Sequence, residues 1–136
     1  MPGRKLSKAD LVALARFRCW LRRFLRLTRE VPRRNGVTAL QYRLLLQIDA
    51  FPGREWSTVP ELAERLQIKH HSVEALISRC ETAGLVSYSA TRGDERRVEV
   101  RLTPSGKRCL ECAGRLHRDE LVEASRFFVP GFGQDA

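Results

Sequence analysis

Only three residues, Gln67-Ile68-Lys69, separate two amphipathic segments, and this spacing limits the fold more than any other feature of the chain. Upstream, Thr58-Val-Pro-Glu61 reads as a capping box, with a proline in the first turn where its missing N–H costs little. It opens a short helix from Leu62 to Leu66. Downstream, Val73, Leu76, Ile77 and Cys80 recur at helical spacing, so a second helix is expected from His70 to Ala83, ended by Gly84 as its C′ residue. "LVSYSA" (85–90) and "VEVRL" (98–102) then alternate as strands around the charged, glycine-bearing turn "TRGDERR" (91–97). Two helices joined by a tight turn, the second followed by a β-ribbon, make a winged helix-turn-helix.

The rest of the chain is helical. Leu11, Leu14, Phe17, Leu21 and Phe24/Leu25 recur every three or four residues over 6–29, and Val31-Pro32 is expected to end that helix. Thr38-Ala-Leu-Gln41 is another capping box, starting a helix that runs to about Phe51, before Pro52-Gly53. Thr103-Pro104 begins a last helix reaching about Phe127. The fold class expected is mainly α with a small β-hairpin wing (α+β), in one domain spanning 1–136. Within it, 6–30 and 104–128 are the outer helices and 37–103 the winged lobe.

Charge is one-sided. Of 25 Lys/Arg and 16 Asp/Glu, residues 1–34 hold 11 basic and 2 acidic, a net of +9; the remainder holds 14 of each and is neutral. Such a segment suggests a polyanion, nucleic acid more often than an anionic membrane surface; the alternative is a solvated arginine-rich face. Arg18, Arg22, Arg26 and Arg29 form its stripe. No apolar run approaches the ~20 residues of a membrane span, and the arginines interrupting the first helix argue against a secretory signal. A cytoplasmic protein is expected.

The adjacent His70 and His71 raise the question of catalysis or metal binding. Neighbours on a helix project about 100° apart, whereas paired ligands need a spacing of three or four. No nucleophile elbow, Gly-rich phosphate loop or oriented Cys/His pair appears, so no enzyme, metal or cofactor is expected. His71, Ala75, Ser78 and Thr82 lie opposite the apolar stripe, flanked by Glu74 and Arg79. A face that is polar, small and mildly charged suits the major groove, with Arg79 available to phosphate. At the hairpin tip, Arg92, Arg96 and Arg97, with Asp94 beside them, read either as a minor-groove contact or as a salt-bridged turn.

Four cysteines, Cys19, Cys80, Cys109 and Cys112, do not suggest a disulfide framework in a cytosolic chain. Cys109 and Cys112 share a helix face. They read as buried small apolar residues, as a redox-responsive pair or, least readily, as metal ligands. Cys80 falls on the apolar stripe. Long amphipathic segments at both ends, with little chain between to cover both, agree with an intersubunit interface through Leu14, Phe17, Leu21, Phe24, Leu110, Leu116, Leu121 and Phe127.

From "GVTALQYRLLLQI" through "ELAERL", "LISRCETAGLV", the D-x-R-R of the wing and the closing "LTPSG" (about 36–111), the chain resembles MarR-family transcriptional regulators. The resemblance implies a homodimeric repressor with interlocked outer helices, two winged lobes on a pseudo-palindromic double-stranded DNA operator, and release by a small aromatic ligand or by thiol oxidation. It places phosphate contacts on Thr38 and Gln41, the head of the recognition helix on Lys69, His70, His71 and Ser72, and the wing on Asp94 and Arg96, with Arg92 at its tip. Lys69 stands where the family usually has a serine-like cap. Cys19 sits mid-helix, not near the helix start as in oxidation-sensing members. The alternative from another class is a winged-helix protein-interaction module docking an acidic partner; RNA binding is disfavoured, because no aromatic platform interleaves with the basic residues.

Overall fold

Eight elements follow one another in the computed structural model, which describes residues 3–91 and 94–124; the side chains of residues 91, 94–97 and 124 lie outside the described set. They are α1 (Lys8–Arg34), α2 (Ala39–Asp49), β1 (Trp56–Ser57), α3 (Val59–Leu66), α4 (His70–Thr82), β2 (Val86–Thr91), β3 (Asp94–Leu102) and α5 (Pro104–Ala124). The strands form one antiparallel sheet in the order β1-β3-β2, with Trp56 opposite Arg101 and Tyr88 opposite Val100.

Local chemistry sets most boundaries. Capping boxes open α2 and α3: Thr38 and Thr58 accept from the amides of Gln41 and Glu61, whose side chains accept from the threonine amides in return. A third box, Ser7 with Asp10, opens α1, and these bonds to Ser7 hold the Asp10 carboxyl below the usual carboxylate range. Gly84 ends α4 with positive φ in a Schellman motif. Its N–H donates to Glu81 and that of Leu85 to Cys80.

Three expectations are corrected. α1 does not stop at Val31-Pro32 but runs through Pro32 to Arg34. Val31 and Pro32 are buried, and Gly36 (φ 78°) closes the helix with bonds from the amides of Gly36 and Val37 to the carbonyls of Arg33 and Pro32. The side-chain amide of Asn35 also donates from Nδ2 to the freed Val31 carbonyl. Packing and capping of the last turn therefore outweigh the proline's preference. The sheet has a third strand, β1, docked on β3 and tied to α2 by the buried Ser57 hydroxyl, which donates to the carbonyls of Gln47 and Ile48. The hairpin turn is also shorter than 91–97, because Asp94 to Arg97 belong to β3.

The core lies where α2, α3, α4, the sheet and the start of α5 meet. Leu44, Leu45, Ile48, Leu62, Val73, Val86 and Val100 are fully buried there, each stabilising the fold by about 1.5–3 kcal/mol. α1 packs chiefly on α5 and α2. Arg54 closes the α2–β1 connection, stacked on Phe51 and Trp56 and paired with Glu61.

Candidate nucleic-acid interface

α4 is held from behind. Val73, Leu76, Ile77 and Cys80 are buried, so the opposite face, with His71, Ala75, Ser78, Arg79 and Thr82, is exposed. Burial pushes the Cys80 thiol up to about 11, which leaves it an inert packing group. The Thr82 hydroxyl bonds back to the Ser78 carbonyl, keeping the C-terminal part of the outward face small.

The start of α4 is set by the turn before it. Gln67 adopts a left-handed conformation (φ 57°) and the Ile68 amide donates to the Ala63 carbonyl, reversing the chain within three residues. Lys69 is the N-cap, and its side chain makes no capping bond. The helix thus begins with a lysine and two exposed histidines beside amide groups that no side chain caps, an arrangement suited to an anion. Ser72 is half-buried. Thr38 and Gln41 engage each other in their capping box; the Gln41 oxygen is used, so its amide N–H groups remain to donate outward.

β2 and β3 lie beside α4. A groove of about 290 Å³ runs between helix and sheet, lined by Val59, Glu74, Ile77, Ser78, Tyr88, Val98 and Val100. Glu74 sits at its edge, exposed. Arg92 lies outside the described residues, and of Asp94, Arg96 and Arg97 only the backbone, in β3, is described.

The outer helices divide their expected contacts. Leu14, Phe17, Leu116 and Leu121 are exposed, Leu21 is half-buried, and Phe127 lies outside the described residues. Leu110 packs against the core, and Phe24 stacks on Trp20 within the chain. Leu11, Leu25 and Val122, also exposed, extend the apolar surface beyond the expected set. Of the expected cysteine pair only Cys109 is sheltered; Cys112 is exposed, because it lies towards the solvent side of α5, so the reading of both as buried is corrected. Burial raises the Cys109 thiol. Cys19 is exposed. Among the described residues no group of three His, Cys, Asp or Glu side chains is placed to hold a metal.

One feature was not foreseen. His117 of α5 is 7% exposed, with Nδ1 2.8 Å from the Tyr42 hydroxyl and Nε2 3.3 Å from the Leu27 carbonyl. Phe24 and Trp20 continue the cluster, and the buried Trp20 indole N–H has no partner among the described residues. The only signal in the sequence was a histidine four residues after Ala113 on the inward stripe of α5.

A helix with a small exposed face and an uncapped basic start, set after a tight turn and beside a β-ribbon, defines a winged helix-turn-helix protein. The MarR family model matches residues 35–97, nearly the whole winged lobe. Solved structures extend the likeness to the outer helices. MarR from E. coli in its apo form is 20% identical with a TM-score of 0.66, over 96% of this chain and 92% of that one. AbsC, a MarR family transcriptional regulator from Streptomyces coelicolor, is 19% identical with a TM-score of 0.69, over 98% and 90%. A cysteine-to-serine variant of E. coli MarR complexed with operator DNA is 23% identical with a TM-score of 0.65, over 83% and 79%. No curated protein matches at a significant level. Residues 35–97 thus resemble the MarR family, and the fold of the chain is shared with solved MarR family transcription regulators. No helix among the described residues is long and apolar enough to cross a membrane.

Proposed function

We propose that this chain is a cytoplasmic, dimeric repressor that reads a pseudo-palindromic operator in double-stranded DNA and is released by a small aromatic ligand or by thiol oxidation. The observation that carries the reading is the outward face of α4. Its buried stripe fixes the helix against the core, leaving His71, Ala75 and Ser78 free to meet base edges and the Lys69–His71 start free to meet phosphate. Arg92, Arg96 and Arg97, with Asp94 orienting a guanidinium, are assigned to the minor groove or the flanking backbone. Glu74 fits a base-reading face if it accepts from a cytosine amino group.

Two observations support effector control. The cluster of Trp20, Phe24, Tyr42 and His117 lies where α1, α2 and α5 meet, and opening that junction would free its buried indole N–H, which has no partner among the described residues, to donate to an aromatic acid or phenol. Cys19 and Cys112 are exposed to an oxidant.

The test is selection of bound sites from random duplexes with the purified chain, followed by the His71→Ala variant. The variant is expected to change base preference at one position of the site by about 1–3 kcal/mol while leaving phosphate-driven affinity largely intact. Unchanged affinity and preference would remove His71 from the groove. A wild-type monomer without site preference would favour instead a module that docks an acidic protein.

A further inference from the structure

The arginines of α1 are not needed by the winged lobe, yet they carry the charge of the molecule. At about 100° per residue, Arg18, Arg22, Arg26, Arg29 and Arg33 fall within about 80° of one another, opposite the face that Trp20, Phe24, Leu27 and Val31 turn inward. All five are exposed, as are Arg16, Arg23 and Arg34 beside them. None of their side chains forms an ion pair or hydrogen bond among the described residues. Successive members sit three or four residues apart, where like charges repel, so the row opposes its own helix unless an anion lies along it. A merely solubilising face would intersperse acids; here only Glu30 interrupts, and the basic residues are arginines, the side chain suited to paired bonds with phosphate oxygens.

We propose that this row is a second, sequence-independent contact to the phosphate backbone of duplex DNA, additional to α4 and the wing. From Arg18 to Arg33 it spans about 22 Å of helix at ~1.5 Å per residue. Duplex DNA offers a negative charge every ~1.7 Å of axis, so each guanidinium can take a different phosphate. The choice of DNA over other polyanions rests on the reading of α4 as the base-reading helix, which brings a duplex to this molecule. The contact adds affinity without adding sequence information, holding the protein near DNA while α4 samples sites.

The experiment uses the full chain and its R22Q/R26Q/R29Q variant, glutamine being as helix-compatible as arginine. Binding to a long mixed-sequence duplex is followed by anisotropy across a salt series, and site preference by selection from random duplexes. Loss of three phosphate contacts should make the slope of log K against log salt shallower by about 2.7, with the preferred site unchanged. The R22K/R26K/R29K variant should keep the wild-type slope, separating lost charge from a damaged helix. An unchanged slope in the glutamine variant overturns the proposal. So does an unchanged slope accompanied by lost binding to phosphatidylserine vesicles, which would assign the row to a membrane surface. A wild-type site preference beside an unchanged slope defeats this contact alone. A shallower slope in a chain that never had a site preference defeats the reading of α4 and leaves this contact standing.

Discussion

The Leu27 carbonyl can only accept a hydrogen bond, so the Nε2 of His117 facing it carries a proton, and in the neutral tautomer that this requires Nδ1 accepts from the Tyr42 hydroxyl. One imidazole thereby ties α5 to both α1 and α2. Tyr42→Phe keeps the ring and its edge-on contact but deletes the donor, leaving a buried acceptor unmet. We expect a loss of about 1–3 kcal/mol in urea unfolding; no loss would mean that Nδ1 is not held by this bond. The link was not legible in the sequence. A histidine on an inward stripe is ordinary, and its partner lies 75 residues away, beyond the reach of local spacing. The exposure of His71 was legible because it follows from helix geometry alone: given a stripe at Val73, Leu76, Ile77 and Cys80, the opposite face is fixed. Cys112 fell between these cases, since a shared helix face with Cys109 does not say where the solvent boundary runs.

At the scale of elements, backbone chemistry explains both what could be read and what could not. The boxes at Thr38 and Thr58 and the glycine ending α4 are satisfied within a few residues, so the sequence displays them directly. β1 is two residues long and exists only because the edge of β3 accepts it, and the continuation of α1 through Pro32 depends on burial. The "LTPSG" stretch joins both kinds of information. The Thr103 hydroxyl accepts from the Gly106 amide at the start of α5 and donates to the Gly84 carbonyl. Its amide donates to the carbonyl of Leu85, the same oxygen that would lie 2.1 Å from a Cβ at position 106. Gly106 is therefore required by close approach of α5 to the end of α4, the helix that carries the proposed base-reading face. Gly106→Ala must push these backbones apart, and we expect about 1–3 kcal/mol of destabilisation by thermal unfolding, against the small gain alanine normally brings to a helix. Unchanged or raised stability would show that the junction yields freely.

Across the whole molecule, the apolar and basic surfaces of α1 are neighbours, and their energetics oppose each other. Leu14, Phe17 and Leu25 remain exposed on α1, as do Leu116 (50%), Leu121 (59%) and Val122 (62%) on α5. Apolar surface of this extent on both outer helices marks an association site, and a second copy of the chain is the partner proposed for it. Each copy carries a net +9, of which α1 holds +7, so closing that interface brings two rows of arginine nearer while burying leucines. Burial is insensitive to simple salt at moderate concentration, whereas repulsion between exposed charges is screened within a Debye length of ~10 Å at 0.1 M. Dimerisation is therefore expected to strengthen as salt rises, opposite in sign to DNA binding, which weakens through counterion release. Sedimentation equilibrium of the free protein over a salt series separates the two effects. A Leu14→Glu/Leu121→Glu variant should be monomeric throughout and should lose the dependence of Tm on protein concentration that a folded dimer shows. If the wild-type chain is itself monomeric at every salt concentration, the apolar faces serve another partner and the operator is met by one lobe at a time. If it is a dimer that weakens with salt, attraction between charges rather than leucine burial holds the copies together.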